Sequence, residues 1–490
     1  MSFRLVTVLI GLLGATAAAA PDRRVTVDVP PAVAPASGVS HTIVMERCTG
    51  NCNLAKSSTN NAMMTLSTIP QGAGPFTVQE FKNSAGLSGA AADAEWNALV
   101  TCVREVYSPF DVIVTDERPT SGSTYHLSIV AGLPAQVGLP ADILGIAPLA
   151  GDCSPQDNVI SFSFANAHPS GMRVMNLCWT VSQESAHAFG LDHEFMFFDG
   201  KSTCIDPMTY RNDCGGQHFF RDKGAQCGEF TGRACKCSAN QNSHQKLLSL
   251  FGPGQILTAP PTSSITFPQP TATVLGAVVG ARAGSQRGVA KVELVVNGFV
   301  WATVGGITPG PSGQPNPSDY SINVPANLPK SIVDIVVRAS DDLGTFTDSP
   351  KITLTNGAPC TDASACAEFQ SCEDGRCLWA PRVGELGDEC KYTQFCKSNL
   401  CVDTSVGKLC SQACTPDSDS CPMDLTCAEA SPGNGLCVPV DDGGCCDSGR
   451  SSDLPWTHAG FAALVIGLVG RRRRSSSRMV GGCQHATPRA

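Results

Sequence analysis

The run Gln183-Glu184-Ser185-Ala186-His187-Ala188-Phe189-Gly190-Leu191-Asp192-His193 holds side chains whose types and spacing could carry chemistry. On an α-helix, positions 183, 184 and 187 fall on adjoining parts of one face, because residues four apart stack a turn above one another. Gly190 lets the chain leave the helix and turn back, which brings His193 toward the same point in space. Three donors and a carboxylate then converge. That is the layout of a zinc site with two ligands from a helix and a third from beyond a glycine, where Glu184 polarises the metal-bound water. The bland alternatives are an exposed helical glutamate at 184 and a solvated turn aspartate at 192, whereas an Asp192 facing inward would orient a ligand.

The elements that must position these residues can be read from residue 41 onward. Residues 41–46 suit a strand. Residues 91–106 suit a helix with Trp96, Leu99 and Val103 spaced for one face, and residues 111–115 a β-rich strand. Further strands are expected at 125–130, 144–149 and 158–164, followed by a helix over 172–189 that carries the run above.

With Asp206-Pro207-Met208-Thr209-Tyr210 downstream, this pattern resembles the metzincin metallopeptidases, whose motif is H-E-x-x-H-x-x-G-x-x-H followed by a Met-turn. The resemblance implies an α/β (α+β) catalytic domain, with Glu184 as general base, His187 and His193 as zinc ligands, Gly190 as the turn and Met208 as the Met-turn. It also implies that residues 145–149 form a sheet-edge strand able to pair with an extended substrate, a general way to hold a peptide through its backbone.

One position departs from the family pattern, since Gln183 stands where the first histidine ligand is expected. A glutamine offers a neutral amide oxygen, a weaker zinc ligand than imidazole nitrogen. Three arrangements follow. Gln183 coordinates zinc and Glu184 still activates water. Alternatively Tyr210 helps, because some metzincins place a tyrosine two residues after the Met-turn methionine near the metal. Or the site lacks turnover, leaving a binding domain on a peptidase scaffold. The expected function is a zinc-dependent endopeptidase acting on a protein or peptide substrate; the alternative is a surface adhesin or binding protein.

Composition bounds the rest. The 490 residues suggest about three domains. A net charge of -9, with 16% charged residues, gives no reason to expect nucleic-acid binding, which needs clustered cations. The 25 cysteines follow an N-terminal segment, residues 1–20, with Arg4, a short apolar run and terminal alanines, which has the form of a signal peptide. Together they indicate disulfides formed after export. Residues 21–40 are expected to be a linker or short pro-segment.

Residues 41–257 contain cysteines 48, 52, 102, 153, 178, 204, 214, 227, 235 and 237, an even set whose connectivity the sequence leaves open. A metal or redox role for Cys235-Lys236-Cys237 is disfavoured by its single intervening residue. Residues 243–251 read as a closing helix ended by Gly252-Pro253. Residues 258–356 alternate short strands and turns, with Asn297-Gly298 as a hairpin signal, and suit an immunoglobulin-like β-sandwich. Residues 337–344 resemble the strand-to-turn region of bacterial immunoglobulin-like domains, and their pair Asp341-Asp342 is expected to be a solvated turn rather than a calcium site.

Residues 357–440 hold cysteine-rich repeats in three four-cysteine runs: 360, 366, 372, 377; then 390, 396, 401, 410; then 414, 421, 427, 437. Such modules cannot build much apolar core and need disulfides. In residues 441–490, Cys445-Cys446 precede an apolar segment, 459–470, and an arginine cluster, 471–474. Arginines after an apolar run hold that end in the cytoplasm. The pattern resembles the MYXO-CTERM sorting tail of myxobacterial surface proteins, which implies processing at Cys445 or Cys446 and retention at the cell surface or outer membrane. A plain C-terminal membrane anchor is the alternative. The oligomeric state is left open.

Overall fold

The computed structural model describes residues 23–29, 38–119, 122–211, 217–306, 316–379 and most of 383–439. The expected signal peptide, Cys214, and the expected sorting tail with Cys445 and Cys446 lie outside the described residues. The chain is multidomain, β-rich and disulfide-rich. Among the described residues no helix is long and apolar enough to cross a membrane.

The elements that frame the Gln183–His193 run are strands β1 (Arg23–Val29) and β2 (Thr42–Glu46), helix α1 (Asp93–Tyr107), strands β3 (Ile113–Thr115), β4 (His126–Val130), β5 (Ile143–Ala150) and β6 (Ile160–Ser163), and helix α2 (Arg173–Ala188). Helix α3 (Ser243–Phe251) follows, capped by Asn242, whose side chain accepts from the Gln245 N–H. The six strands form one sheet in the order β1-β5-β6-β4-β2-β3. All neighbours run parallel except β5 and β6, which are antiparallel. Because the sheet is covered on both faces, β4, β5 and β6 are buried along their whole lengths, and β5 reads as a continuous apolar run.

Side-chain alternation divides the core. Ile43 and Met45 of β2 point to one face with Trp96, Leu99 and Val103 of α1 and Leu177 and Val181 of α2. Val44, Leu127, Ile129, Ile146 and Phe162 point to the other face, under the loops and short strands of residues 52–78. Disulfide Cys102–Cys178 staples α1 to α2, and Cys153–Cys237 ties the turn after β5 to the loop-rich region beyond α2. Cys48–Cys52 and Cys227–Cys235 close short loops.

Two expectations need correction. The stretch expected to be a linker or short pro-segment contains β1, a strand that a pro-segment can form and a linker does not, and β1 pairs in parallel with β5 from Ile143 to Ala150, skipping Leu144. The strand expected at the sheet edge is therefore covered, because β1 satisfies the outward N–H and C=O groups that an edge strand presents.

Beyond α3, a three-stranded sheet (Thr262–Phe267, Val278–Gly284, Ser318–Asn323) packs on a five-stranded one to make a β-sandwich. Its hairpin turns at Asn297 and Gly298, with φ of 49° and 86°, the conformation that selects an Asn-Gly turn. Each four-cysteine run closes on itself with the same first-to-third and second-to-fourth pattern: Cys360–Cys372 with Cys366–Cys377, Cys390–Cys401 with Cys396–Cys410, and Cys414–Cys427 with Cys421–Cys437.

The second correction concerns Asp341-Asp342, which is not a solvated turn. Asp342 accepts from Arg287 of the sandwich at 2.8 and 2.9 Å and from Arg221, in the loop before α3, at 2.9 Å. Arg221 also donates to the Arg287 carbonyl at 2.6 Å, and Arg287 lies 4.6 Å from the Phe219 ring centroid. Both guanidiniums are almost wholly buried. Asp342→Asn should therefore destabilise the chain by about 3–5 kcal/mol in chemical denaturation, since two buried cations lose their counter-charge. Burial pushes the Asp342 pKa up, but Arg221 and Arg287 outweigh it and hold the carboxyl well below its usual range. A carboxylate depressed by folding stabilises above its unfolded pKa, about 4, and the contribution is lost as pH falls below that. The acid limb of stability should accordingly be shallower in Asp342→Asn than in the unmodified chain.

Candidate functional site

Helix α2 is buried from Leu177 to its end, so every polar side chain on it faces protein. Gln183, Glu184 and His187 are each fully buried. The chain leaves the helix at Gly190, where φ is +89°, and a Cβ there would stand 2.1 Å from the Cys153 carbonyl oxygen. Only glycine suits that combination of backbone angle and close approach. Leu191 and His193 follow directly, and the structure brings His193 back against the helix.

His187 and His193 meet with their Nε2 atoms 3.0 Å apart and their rings nearly perpendicular. The other ring nitrogen of each is engaged: His187 Nδ1 donates to the Leu191 carbonyl at 2.7 Å, and His193 Nδ1 lies 3.0 Å from the Glu229 carboxylate. Those acceptors place the proton of a neutral imidazole on Nδ1, leaving both Nε2 lone pairs aimed at one point. Burial, and then the neighbouring His193, lowers the His187 pKa to about 3, so this ring stays neutral.

Gln183 adds an oxygen. Its amide nitrogen donates to the Thr209 carbonyl at 3.3 Å, and since a carbonyl can only accept, that contact sets which way the amide faces. Gln183 Oε1 is buried with no hydrogen-bond partner among the described residues, and so are both carboxylate oxygens of Glu184. Unpartnered buried acceptors are uncommon, because each forfeits its hydration. Burial raises the Glu184 pKa well above the usual carboxylate range, with the Arg24 charge opposing.

Met208 is fully buried in the cluster that holds Phe189 and Leu191. Its turn is shaped by Asp206, which accepts from the Met208 N–H at 2.8 Å, and by the Met208 carbonyl, which accepts from the Glu194 N–H at 2.6 Å. Tyr210 sets its ring 4.6 Å from that of His193. Burial, then the charge of Glu184, raises the Tyr210 pKa, so its hydroxyl remains a donor. Thus Gln183, Glu184, His187, His193, Met208 and Tyr210 all lie around one place.

A supporting layer was not legible from the sequence. Glu229 orients His193, and Arg233 binds both Glu229 at 2.7 Å and Asp192 at 2.6 and 2.8 Å. Asp192 is buried, not a solvated turn residue, and also accepts from the His193 N–H at 2.8 Å. Asp192, His193 and Glu229 put ligand atoms within 4.8 Å of one another. Arg233 engages both carboxylates, which makes this group a brace for the histidine rather than a second cation site. The clustered cysteines are all disulfide-bonded and offer no thiolate. Glu229 and Arg233 lie in the short loop that Cys227–Cys235 closes, a pairing that the sequence left open.

No family model and no curated protein matches the chain. Among solved structures, it is similar to the fibronectin(III)-like modules of Clostridium thermocellum CbhA, at 16% identity over 20% of this chain and 96% of that one, with a TM-score of 0.14. It is also similar to wild-type OgpA from Akkermansia muciniphila in two crystal forms. These are 11% and 10% identical, span 59% and 66% of this chain and 95% and 96% of the other, and have TM-scores of 0.16 and 0.17.

The turn that closes the site is the point most sensitive to a single methyl group. Gly190→Ala should cost on the order of 3 kcal/mol in thermal or chemical unfolding, because it adds a backbone clash to an unfavourable positive φ.

Proposed function

We propose that this chain is an exported zinc-dependent endopeptidase of the metzincin type, with residues 41–257 as its catalytic domain. The observation that carries the reading is the meeting of His187 and His193 through Nε2 at 3.0 Å, with both Nδ1 atoms committed elsewhere. Two nitrogens on a tetrahedral zinc stand roughly 3.3 Å apart, given Zn–N distances of about 2.0–2.1 Å. The unpartnered Gln183 Oε1 supplies the third donor, and the lost histidine is replaced by an oxygen whose direction Thr209 maintains. A bound zinc would supply Lewis-acid polarisation of the scissile carbonyl and of water.

The chain's own residues perform the proton work. Glu184, desolvated and with both oxygens free of other partners, takes the proton from attacking water and returns it to the departing amine. Tyr210, held protonated beside His193, donates toward the oxyanion that develops on the carbonyl. Glu229 and Arg233 keep the His193 ring in one tautomer and orientation.

Export through residues 1–20 and retention at the cell surface or outer membrane through residues 441–490, with Cys445 or Cys446 processed, complete the proposal. The many disulfides support an oxidising compartment. A second reading, a surface binding protein on a peptidase scaffold, is favoured by the amide at 183 and keeps the same location.

The purified full chain should carry zinc near one per molecule by elemental analysis, and it should cleave casein once β1 is displaced from the edge of β5. Glu184→Ala should keep the zinc and lower kcat by about 10²–10⁴. Glu229→Ala should weaken zinc by about 10–100-fold in chelator competition. An absence of zinc at micromolar supply, with no gain of activity in Gln183→His, would leave only the binding protein.

A further inference from the structure

We infer that the outer edge of β5, together with the shelf formed by Trp179, Thr180 and His218, is a peptide subsite that selects an arginine side chain, occupied here by the chain's own Arg24. The inference rests on the cleft reading above and adds to it a ligand class: extended peptides bearing a guanidinium.

β1 runs along β5 from Arg23 to Val29 and sets Arg24 opposite Gly145. Arg24 is 3% exposed, unusually low for an arginine. Its guanidinium carbon lies 3.6 Å from the Trp179 ring centroid, and its Nε donates to the Thr180 hydroxyl at 2.9 Å. This is a planar cation stacked on an aromatic face and tethered at its edge, an arrangement that the compact ammonium of lysine cannot reproduce.

The receptor is built independently of what fills it. Trp179 is locked by its Nε1–H, which donates to the Pro207 carbonyl at 2.8 Å, and by His218 stacked 4.2 Å away with rings only 11° from parallel. His218 donates through Nδ1 to the Asp206 carbonyl, and burial keeps it neutral, so a neighbouring cation meets no like charge there. The Thr180 hydroxyl spends its proton on the Asn176 carbonyl at 3.0 Å, leaving a lone pair for a donor entering the pocket. Glu184 lies one turn further along α2 from Thr180. No side chain separates strand from helix here: a Cβ on Gly145 would stand 2.4 Å from Glu184 Oε1 and 2.7 Å from Thr180 Cγ2. The arginine pocket therefore adjoins the catalytic carboxylate, and β1 covers it. The chain in this state is self-occupied, and β1 must leave before another peptide can bind.

The test uses the full chain. Arg24→Ala should speed hydrogen exchange at the amides of residues 143–150 by at least tenfold. It should also create binding for a labelled synthetic peptide with the sequence of residues 23–29, Arg-Arg-Val-Thr-Val-Asp-Val. Arg23→Ala, which removes only an exposed contact to Asp142, should leave exchange within twofold of the unmodified chain. Replacing the second arginine of the peptide with lysine should weaken binding about tenfold, and with alanine more. Trp179→Leu in the Arg24→Ala chain should erase the arginine-over-lysine preference, with circular dichroism confirming that the variant folds. Equal binding of the arginine, lysine and alanine peptides, or unchanged exchange in Arg24→Ala, would overturn the subsite. Because neither readout needs zinc or turnover, arginine-dependent binding without hydrolysis would uphold the subsite and remove the peptidase reading instead. Hydrolysis without arginine dependence would do the reverse.

Discussion

Two imidazoles can share one point only if the chain that leaves α2 doubles back within a few residues. Gly190 makes that possible, with its positive φ and its bare Cα lying against the Cys153 carbonyl. Everything around the site defers to this contact. Disulfide Cys153–Cys237 fixes the carbonyl that Gly190 packs on, and the segment reaching Cys237 carries Arg233, which braces Asp192 and Glu229 around His193. The turn, the disulfide and the ion pairs form one mechanical unit.

The absence of a side chain matters a second time at Gly145. There β5 passes so near α2 that Glu184 and Thr180 occupy the space a Cβ would need. The same closeness seals the Glu184 carboxylate from solvent and lifts its pKa, and it puts the outer edge of β5 within reach of the helix face. Two glycines thus govern, respectively, where the donors converge and what lies over them. The ion pairs at Asp342 show the same economy at the contact with the sandwich. One carboxylate pairs with two arginines that come from opposite sides.

Several departures from sequence expectation share a cause. Arg24 precedes Val25-Thr26-Val27-Asp28-Val29, an alternation that suits a strand but names no partner for it, and Asp342 lies in a turn of ordinary acidic composition. In both, partners more than fifty residues away decide the outcome. Asp192 likewise looks like a loop residue until Arg233, forty-one positions on, closes over it. Burial of a charge is a statement about the partner as much as the residue, and a partner's position in the fold leaves no trace in local spacing.

What the sequence determined by itself was whatever depends on neighbours within a turn or two. Helical spacing put Gln183, Glu184 and His187 together, the left-handed preference of glycine marked Gly190 and Asn297-Gly298, and apolar runs marked strands later found at Thr42–Glu46, His126–Val130 and Ile143–Ala150. Four-cysteine runs announced modules, though not their pairing. The tertiary structure alone decided that β1 lies on β5, that Arg24 stacks on Trp179, that Glu229 orients His193, and that the Gln183 amide turns its oxygen inward. Those outcomes depend on which distant surfaces exclude water together. Local spacing says nothing of that until the sheet and its covering helices have closed.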